Sequence, residues 1–550
     1  QGAIELLAGL EITAAGEPLD WKRNEVEVYA FHVDVPAGAE ELELRFQCLS
    51  PTSSTQGRIV ATPDMLNLQW SAMLLYPAGH HSQRIQFEPA VSLPEGWQLA
   101  CALAPAATEG TTTRFAPVAL DVLVDSPIFA GRHVRRIPLD AQGQVQLNLV
   151  ADRAHLLAAT PAQIDAHRAL ITQADKLFGG RPFARYDFLV ALSEELGGIG
   201  VEHHSSCEIA TEPDYFTKWD ERASSRDVMG HEYTHAWNGK YRRGADSWTP
   251  TFDQPIHNSL MWVYEGQTQY WGNVLSARAG LWTLQQALDA LARTAAVYSH
   301  RPGRRWRTMS DTTRDPIIAS RKPLPWVSWQ LSEDYYSEGQ LMWLDIDTRL
   351  RELSADTRSL DDFAARFFAT NAKQQASSTS TYTFEDVVEV LQGIVAFDWQ
   401  SYLRGKLETR SSAPLEGLAR GGYRLVYRPT PSEFARQADA TLGVLNLRFS
   451  LGITVATSGA LQEVLWESPA FEAGLTAGAE VLAVNGRAYS PDGLEQAIID
   501  AQDGAPIALS LKRKKRHYDA SIRYRGGLRF PHLEPIEGAR PRLDEIYKAR

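Results

Sequence analysis

The hydrophobic period changes twice along this 550-residue sequence, and each change bounds what the stretch can fold into. Up to about residue 150, apolar and polar residues alternate in "VEVYAFHVDV", "ELELRF", "LDVLVD" and "VQLNLV", with Pro and Gly between the runs. Period two places successive side chains on opposite faces of a strand, so residues 1–155 are expected as an antiparallel β domain. At "TPAQIDAHRALITQADKLFGG" the period becomes helical. Thr160 can cap, Pro161 takes the first helical position, and Ile164, Leu170, Ile171, Ala174 and Leu177 recur until Gly179-Gly180. "YDFLVAL", Tyr186 to Leu192, reads as a buried or edge strand. Helices follow around 225–238, 259–278, 281–298, 333–353, 359–369, 384–394 and 397–409. Residues 156–425 are thus expected as a mixed α+β domain giving way to a helical lobe. After a linker at 426–442, strands return in "RFSLGITV", "ALQEVLW", "AEVLAVNG" and "IALSLKR", with helices at "SPAFEAGL" and "PDGLEQAIID". These form a module over 443–527 that leaves a tail at 528–550. The fold class is therefore multidomain α+β, and the Ser/Thr run 377–383 is expected as a loop.

Composition narrows the class. Hydrophobic residues at 44% and aromatic residues at 10% suit a packed globular chain. A formal charge of -12 argues against a nucleic-acid or anionic-membrane partner, which would need broad positive surface. The basic run "KRKKRH", Lys512 to His517, is expected as the solvated turn of a hairpin. Cys48, Cys101 and Cys207 are too few for a disulfide framework or a cysteine-based metal site, which leaves open one Cys48–Cys101 bridge. No run of 18 apolar residues is present to span a membrane. The N-terminus carries no basic-then-apolar leader. The expected compartment is periplasmic or extracellular if a leader has been removed and cytoplasmic otherwise.

The chemistry concentrates in "DVMGHEYTHAWNGKYRR", Asp227 to Arg243. On a helix, residues four apart lie about 40° apart and about 6 Å along the axis, so the imidazoles of His231 and His235 can converge on one ion. Glu232, one step round, reaches a water on that ion and suits a general base. An open zinc site needs a third protein ligand. In "NSLMWVYEGQTQYWG", Glu265 is a lone carboxylate in a segment otherwise built for burial, where a cation would offset its desolvation. The adjacent pairs His80-His81 and His203-His204 are expected to be structural or solvated, with neighbouring side chains pointing apart.

Taken together, "HEYTHAWNGKYRR", "WVYEGQTQYWG", "GGIGVEHHSS", "SEDYYSEGQLMWLDID" and "LARGGYRLVY" resemble the glycyl aminopeptidase family of gluzincin metallopeptidases, distant relatives of aminopeptidase N. The resemblance implies a β-rich N-terminal domain, a thermolysin-like catalytic domain with a helical lobe, and a C-terminal PDZ-like domain. It implies one Zn2+ per chain on His231, His235 and Glu265, with Glu232 as catalytic base. It further implies that "GGIGVEHH", residues 197–204 with Gly198 its second residue, lines the cleft as an edge strand and presents Glu202 to the substrate's α-ammonium group. The spacer "IGV" is longer here than the family often has. "DYYSEG" is similar to the element whose tyrosine, three residues before a glycine, donates to the oxyanion. Gly339 points to Tyr336, with Tyr335 as the alternative donor, and Glu338 stands where aminopeptidase N has lysine.

"SPAFEAGLTAGAEVLAVNG", Ser468 to Gly486, is similar to the PDZ pattern. Leu451-Gly452-Ile453 matches its carboxylate-binding loop, with Ser450 where the best-known loop has glycine. Such a loop captures a peptide C-terminus while a strand groove adds the peptide to the sheet. The expected function is a zinc aminopeptidase acting on peptides with a free amino terminus, with a preference for Gly or Ala first that rests on the resemblance alone. The alternatives are a zinc endopeptidase with PDZ-mediated substrate capture and an inactive PDZ-bearing binding protein.

Overall fold

The computed structural model describes residues 4–319, 322–370 and 379–550. The chain divides into two compact units. One comprises 1–159, 183–217 and 249–255, the other 160–182, 218–248 and 256–550.

The first unit is built of β-sheets. Strands β1 (Met65–Leu68), β2 (Gln98–Cys101) and β3 (Ile128–Gly131) pair antiparallel with β3 in the centre. A five-stranded sheet follows from β4 (His133–Pro138), β5 (Val145–Ala151), β6 (Tyr186–Leu192), β7 (Ile199–Glu202) and β8 (Ser206–Thr211), in the order β4-β5-β6-β8-β7. Strands β5, β6 and β8 run parallel, whereas β4 and β7 pair antiparallel at the two edges. Every residue of β6 is buried, as a central parallel strand requires. The strand expected at the start of the second domain therefore belongs to the first unit, and the boundary expected near 155 is crossed by returning chain.

Two alternating runs do not become the expected strands. "LDVLVD" is a helix, Leu120–Val124, whose buried Leu120 and Leu123 are three residues apart. Five residues are too few to separate period two from a helical turn. "VEVYAFHVDV" yields only the strand Phe31–Val33, in a two-stranded ribbon with Trp21–Arg23, and Val26 is exposed. The three cysteines are free. The Cys48 thiol donates to the Ala72 carbonyl at 2.6 Å, so the Cys48–Cys101 bridge is not formed.

The second unit is mostly helical at its centre. Helix α1 (Pro161–Phe178) begins in a capping box made by Thr160 and Gln163 and ends at Gly179 in the left-handed conformation, as its sequence predicts. Phe178 stacks on Trp237 at 4.4 Å, and the Trp237 indole donates to the Gly180 carbonyl at 2.6 Å. That contact fixes the chain just beyond helix α2 (Asp227–Thr234). Helix α3 (Gly266–Arg278) follows the single turn Met261–Tyr264, and α4 (Ser337–Leu353) is buried along nearly its whole length. Of the Ser/Thr run, 377–378 lie outside the described residues. Within the rest, Ser380–Tyr382 forms a strand beside Arg242–Gly244 instead of a loop.

The segments expected as linker and tail are structured. Strand β9 (Tyr423–Arg428) pairs along its full length with Phe530–Pro535, helix α5 occupies Glu433–Thr441, and the chain ends in the helix Arg542–Tyr547. Between them lie β10 (Val444–Leu447), β11 (Ile453–Ala456), β12 (Leu461–Val464), β13 (Glu480–Val484), β14 (Ile507–Arg513) and β15 (Arg516–Ile522), with helices Pro469–Glu472 and Pro491–Asp500 around one apolar core. The basic run is the β14–β15 turn, as expected.

One expectation for this module fails. Strand β11 is paired on both edges, with β10 on one side and β12 on the other. The Gly452 N–H and the Ser450 N–H both donate to the Leu447 carbonyl at 3.1 Å. The loop Leu451-Gly452-Ile453 is thus engaged by the chain's own β10, so β11 offers no free edge and the Gly452 N–H is already used.

Candidate metal centre

Three helices meet through glycines. A Cβ added at Gly272 of α3 would lie 3.0 Å from the His231 Cα and N, and one at Gly230 of α2 would lie 2.8 Å from the Gly272 carbonyl oxygen. At the other end of the crossing, a Cβ on Gly266 would sit 2.8 Å from the Gly339 Cα, and one on Gly339 would sit 2.8 Å from the Gly266 Cα. Only residues without side chains let these backbones touch. The first crossing presses His231 against α3, and the second brings the turn before α4, which bears Tyr336, to the start of α3 beside Glu265.

Glu265 occupies the joint between the turn Met261–Tyr264 and α3, and it is 5% exposed. Its Oε2 lies 3.2 Å from His235 Nε2 and 3.5 Å from His231 Nε2, and the two ring nitrogens are 3.1 Å apart. Neither contact to Oε2 has hydrogen-bond geometry, although the atom is buried. The tautomer of His235 explains this. Its Nδ1 faces the Asn238 carbonyl at 2.8 Å and the Thr268 hydroxyl oxygen at 3.4 Å, and that hydroxyl donates to the Tyr264 carbonyl at 2.7 Å. Two acceptors at Nδ1 place the proton there and leave a lone pair on Nε2. A lone pair, a carboxylate oxygen and a second imidazole nitrogen then converge in a buried space, where a proton on His231 Nε2 or a shared cation would offset their mutual repulsion.

The spacing fits a cation. For bonds of about 2.05 Å, tetrahedral ligands lie about 3.3 Å apart, and the three separations of 3.1, 3.2 and 3.5 Å bracket that value. His231, His235 and Glu265 form a group able to hold a metal ion. Burial pushes the Glu265 carboxyl up; positive charge beside it, on protonated His235 and His231 or on a cation in their place, holds it well below the usual carboxylate range.

Glu232 is buried on α2, one residue past the first histidine. Tyr336 immediately precedes α4, and its ring stacks on the His231 imidazole at 6.2 Å and 20°. Tyr335, the alternative donor, is fully buried and gives its hydroxyl to Glu333 at 3.1 Å, so it is a packed residue. Glu338 is buried against Arg304 at 3.0 Å, and burial raises its carboxyl to about 7. The position therefore carries no cation.

Glu202 and Gly198 lie in the first unit. Glu202 ends β7, the edge strand of the five-stranded sheet, opposite Cys207, and Gly198 is the exposed residue just before that strand. The neighbouring histidines do not point apart. His203 Nδ1 and His204 Nδ1 approach the two oxygens of one carboxylate, Asp125, at 3.0 and 2.9 Å, and Asp125 also accepts the His204 backbone N–H at 2.7 Å. His203 Nε2 faces Glu208 at 3.3 Å, and Glu208 in turn accepts from Asn67 and Gln69. Burial alone would push the His203 imidazole down. The two carboxylates outweigh it and raise it to about 9.

Asn238, three residues past the second histidine, was not singled out in the sequence. Besides orienting His235 through its carbonyl, its amide donates to Val263 at 2.7 Å and Tyr264 at 3.2 Å, which ties α2 to the turn that carries Glu265. An amide between Trp237 and Gly239, just past the second histidine, was the available signal.

Parts of this chain match known protein families, and its fold matches a solved structure. A family model described as M61 glycyl aminopeptidase matches residues 224–342, and one described as the peptidase M61 N-terminal domain matches residues 1–132. No curated protein matches the sequence. Among solved structures, an aminopeptidase N family protein from Idiomarina loihiensis is similar over 99% of this chain and 92% of its own, with a TM-score of 0.76 at 17% identity; the fold is shared. Yeast LTA4 hydrolase in complex with bestatin is similar at a TM-score of 0.44 and 15% identity, covering 72% of this chain and 60% of that one, too little to bear on the fold. Two models of one family thus match in chain order, over residues 1–132 and 224–342, and the fold is shared with an aminopeptidase N family protein.

Proposed function

We propose that this chain is a zinc-dependent aminopeptidase, with one Zn2+ held by His231, His235 and Glu265. The supporting observation is the triangle of ligand atoms with 3.1 to 3.5 Å edges, in which Asn238 fixes the His235 lone pair inward. Zinc bound there would acidify a water towards a pKa of about 7 and polarise the scissile carbonyl. Glu232 takes the proton of the attacking water and returns it to the departing amine. The Tyr336 phenol donates to the oxygen on which negative charge develops, an interaction present only in the transition state and therefore expressed in kcat. Glu202 receives the substrate's α-ammonium group, a role that rests on the family resemblance, as does the preference for a small first residue.

The test is elemental analysis together with release of anilide from alanyl and glycyl substrates before and after chelation. One zinc per chain and activity restored by zinc support the reading, and full activity in chelated, metal-free protein sinks it. Free and N-acetylated peptides compared side by side separate an aminopeptidase from an endopeptidase, since only the former needs the amino terminus.

A further inference from the structure

The C-terminal module is packed onto the turn that leads to Tyr336. Trp466, at the end of β12, stacks on Trp329 at 5.5 Å and 15° and meets Trp326 edge-on at 5.7 Å. Phe471 of the module contacts Trp326 at 5.2 Å and Trp466 at 4.6 Å, and Trp326 packs against the module's apolar core. The Trp466 backbone N–H donates to the Ser328 hydroxyl at 2.9 Å, and Glu467 pairs with Arg305 at 2.7 Å. From the other side, the Trp306 indole donates to the Trp329 carbonyl at 2.7 Å and Arg307 to the Gln330 carbonyl at 3.1 Å.

The gripped turn is strained. Trp326 and Leu331, which bracket the turn Val327–Gln330, have φ values of +54° and +60°, a region that costs energy for any residue bearing a Cβ. Such backbone persists where its surroundings over-determine it. Leu331 is fully buried, and only Ser332 to Tyr335 separate it from Tyr336. Strand β11 is paired on both edges, so it takes no added peptide strand.

We infer that the PDZ-like module is a clamp whose Trp466 and Phe471 hold the Trp326–Leu331 turn, making Trp466 a positioning residue for the Tyr336 hydroxyl. This rests on the proposed role of Tyr336 as oxyanion donor. The chemistry recognised at this surface is indole against indole within one chain, and no exogenous peptide is required.

The test uses the full-length, zinc-loaded chain with Trp466→Ala, the ring-retaining Trp466→Phe, and each combined with Tyr336→Phe. Displacing a reacting group by about 1 Å costs on the order of 100-fold, so Trp466→Ala is expected to lower kcat roughly 10- to 100-fold, with KM and zinc content kept. Trp466→Phe should recover most of the loss. In the Tyr336→Phe background, Trp466→Ala should add less than about twofold, because the group it positions is already gone. Amide hydrogen exchange over residues 326–336 of the metal-free chain should quicken in Trp466→Ala, a readout independent of turnover. Unchanged exchange and kcat, or losses that multiply in the double variant, overturn the clamp. Faster exchange with a Tyr336→Phe variant as active as the parent keeps the clamp and overturns only the role of Tyr336. If Trp466→Ala does not fold, Ser328→Ala, which removes one hydrogen bond, is read by the same exchange measurement against the same outcomes.

Discussion

Gly266→Ala tests whether the helix crossing builds the metal centre. The added Cβ would lie 2.7 Å from the Tyr335 carbonyl oxygen, 2.8 Å from the Gly339 Cα and 3.1 Å from the Gly339 carbonyl carbon, all of them backbone atoms that cannot rotate away. Carbon atoms rest about 3.5–4.0 Å apart, so α3 and α4 must separate by about 0.7 Å or more. Overpacking of this kind costs about 1–3 kcal/mol, set against a helix-propensity gain of at most about 1 kcal/mol. The net loss should be about 1–2 kcal/mol. Glu265 is the adjacent residue, and a metal site tolerates about 0.2 Å in its ligand distances, so an opening three times larger should weaken zinc binding on the order of 10- to 100-fold. Urea unfolding of the metal-free protein reads the first effect, and competition with a chromophoric chelator reads the second. Gly405→Ala is the control. It lies in a helix with no heavy atom within 4 Å of the added Cβ, and it should stabilise by about 1 kcal/mol with zinc affinity unchanged. If Gly266→Ala binds zinc as tightly as the parent and unfolds no earlier, the close crossing is not what sets the ligand triangle.

Glu232→Gln should retain one zinc and lose about 100- to 10,000-fold in kcat, because the amide cannot accept the water's proton; matched kinetics and metal analysis check both halves. Asn238→Ala should destabilise the protein by about 1–3 kcal/mol, since the Val263 carbonyl loses its side-chain donor, while the backbone carbonyl that faces His235 is kept; urea unfolding would show it. The His203 imidazole is raised from 6.5 to about 9 in the folded protein, so its contribution to stability is fully present below about 6.5 and is lost as pH rises towards 9. Urea midpoints across that window should fall with pH in the parent and fall less in His203→Gln.

The pattern of legibility follows from range. The histidine pair at helical spacing, the capping box before α1 and the basic hairpin turn are local patterns, decided by residues within one or two turns of each other, and one sequence displays them. "LDVLVD" misled because so short a run satisfies either period, and His203-His204 misled because Asp125, nearly eighty residues earlier, draws both rings to one carboxylate. The open peptide groove was expected because Leu451-Gly452-Ile453 looks the same whether or not another strand lies beside it.

By itself the sequence determined the chemistry this chain can attempt: two imidazoles at helical spacing, an acid next to the first, and a lone carboxylate in an apolar helix. Tertiary structure decided how those groups face one another. The glycine crossings set the distances, the Asn238 carbonyl set the tautomer of His235, and β10 closed an edge that the motif alone would leave open. Each of these depends on backbone atoms far apart in the chain coming within contact distance, which no local pattern of side chains encodes.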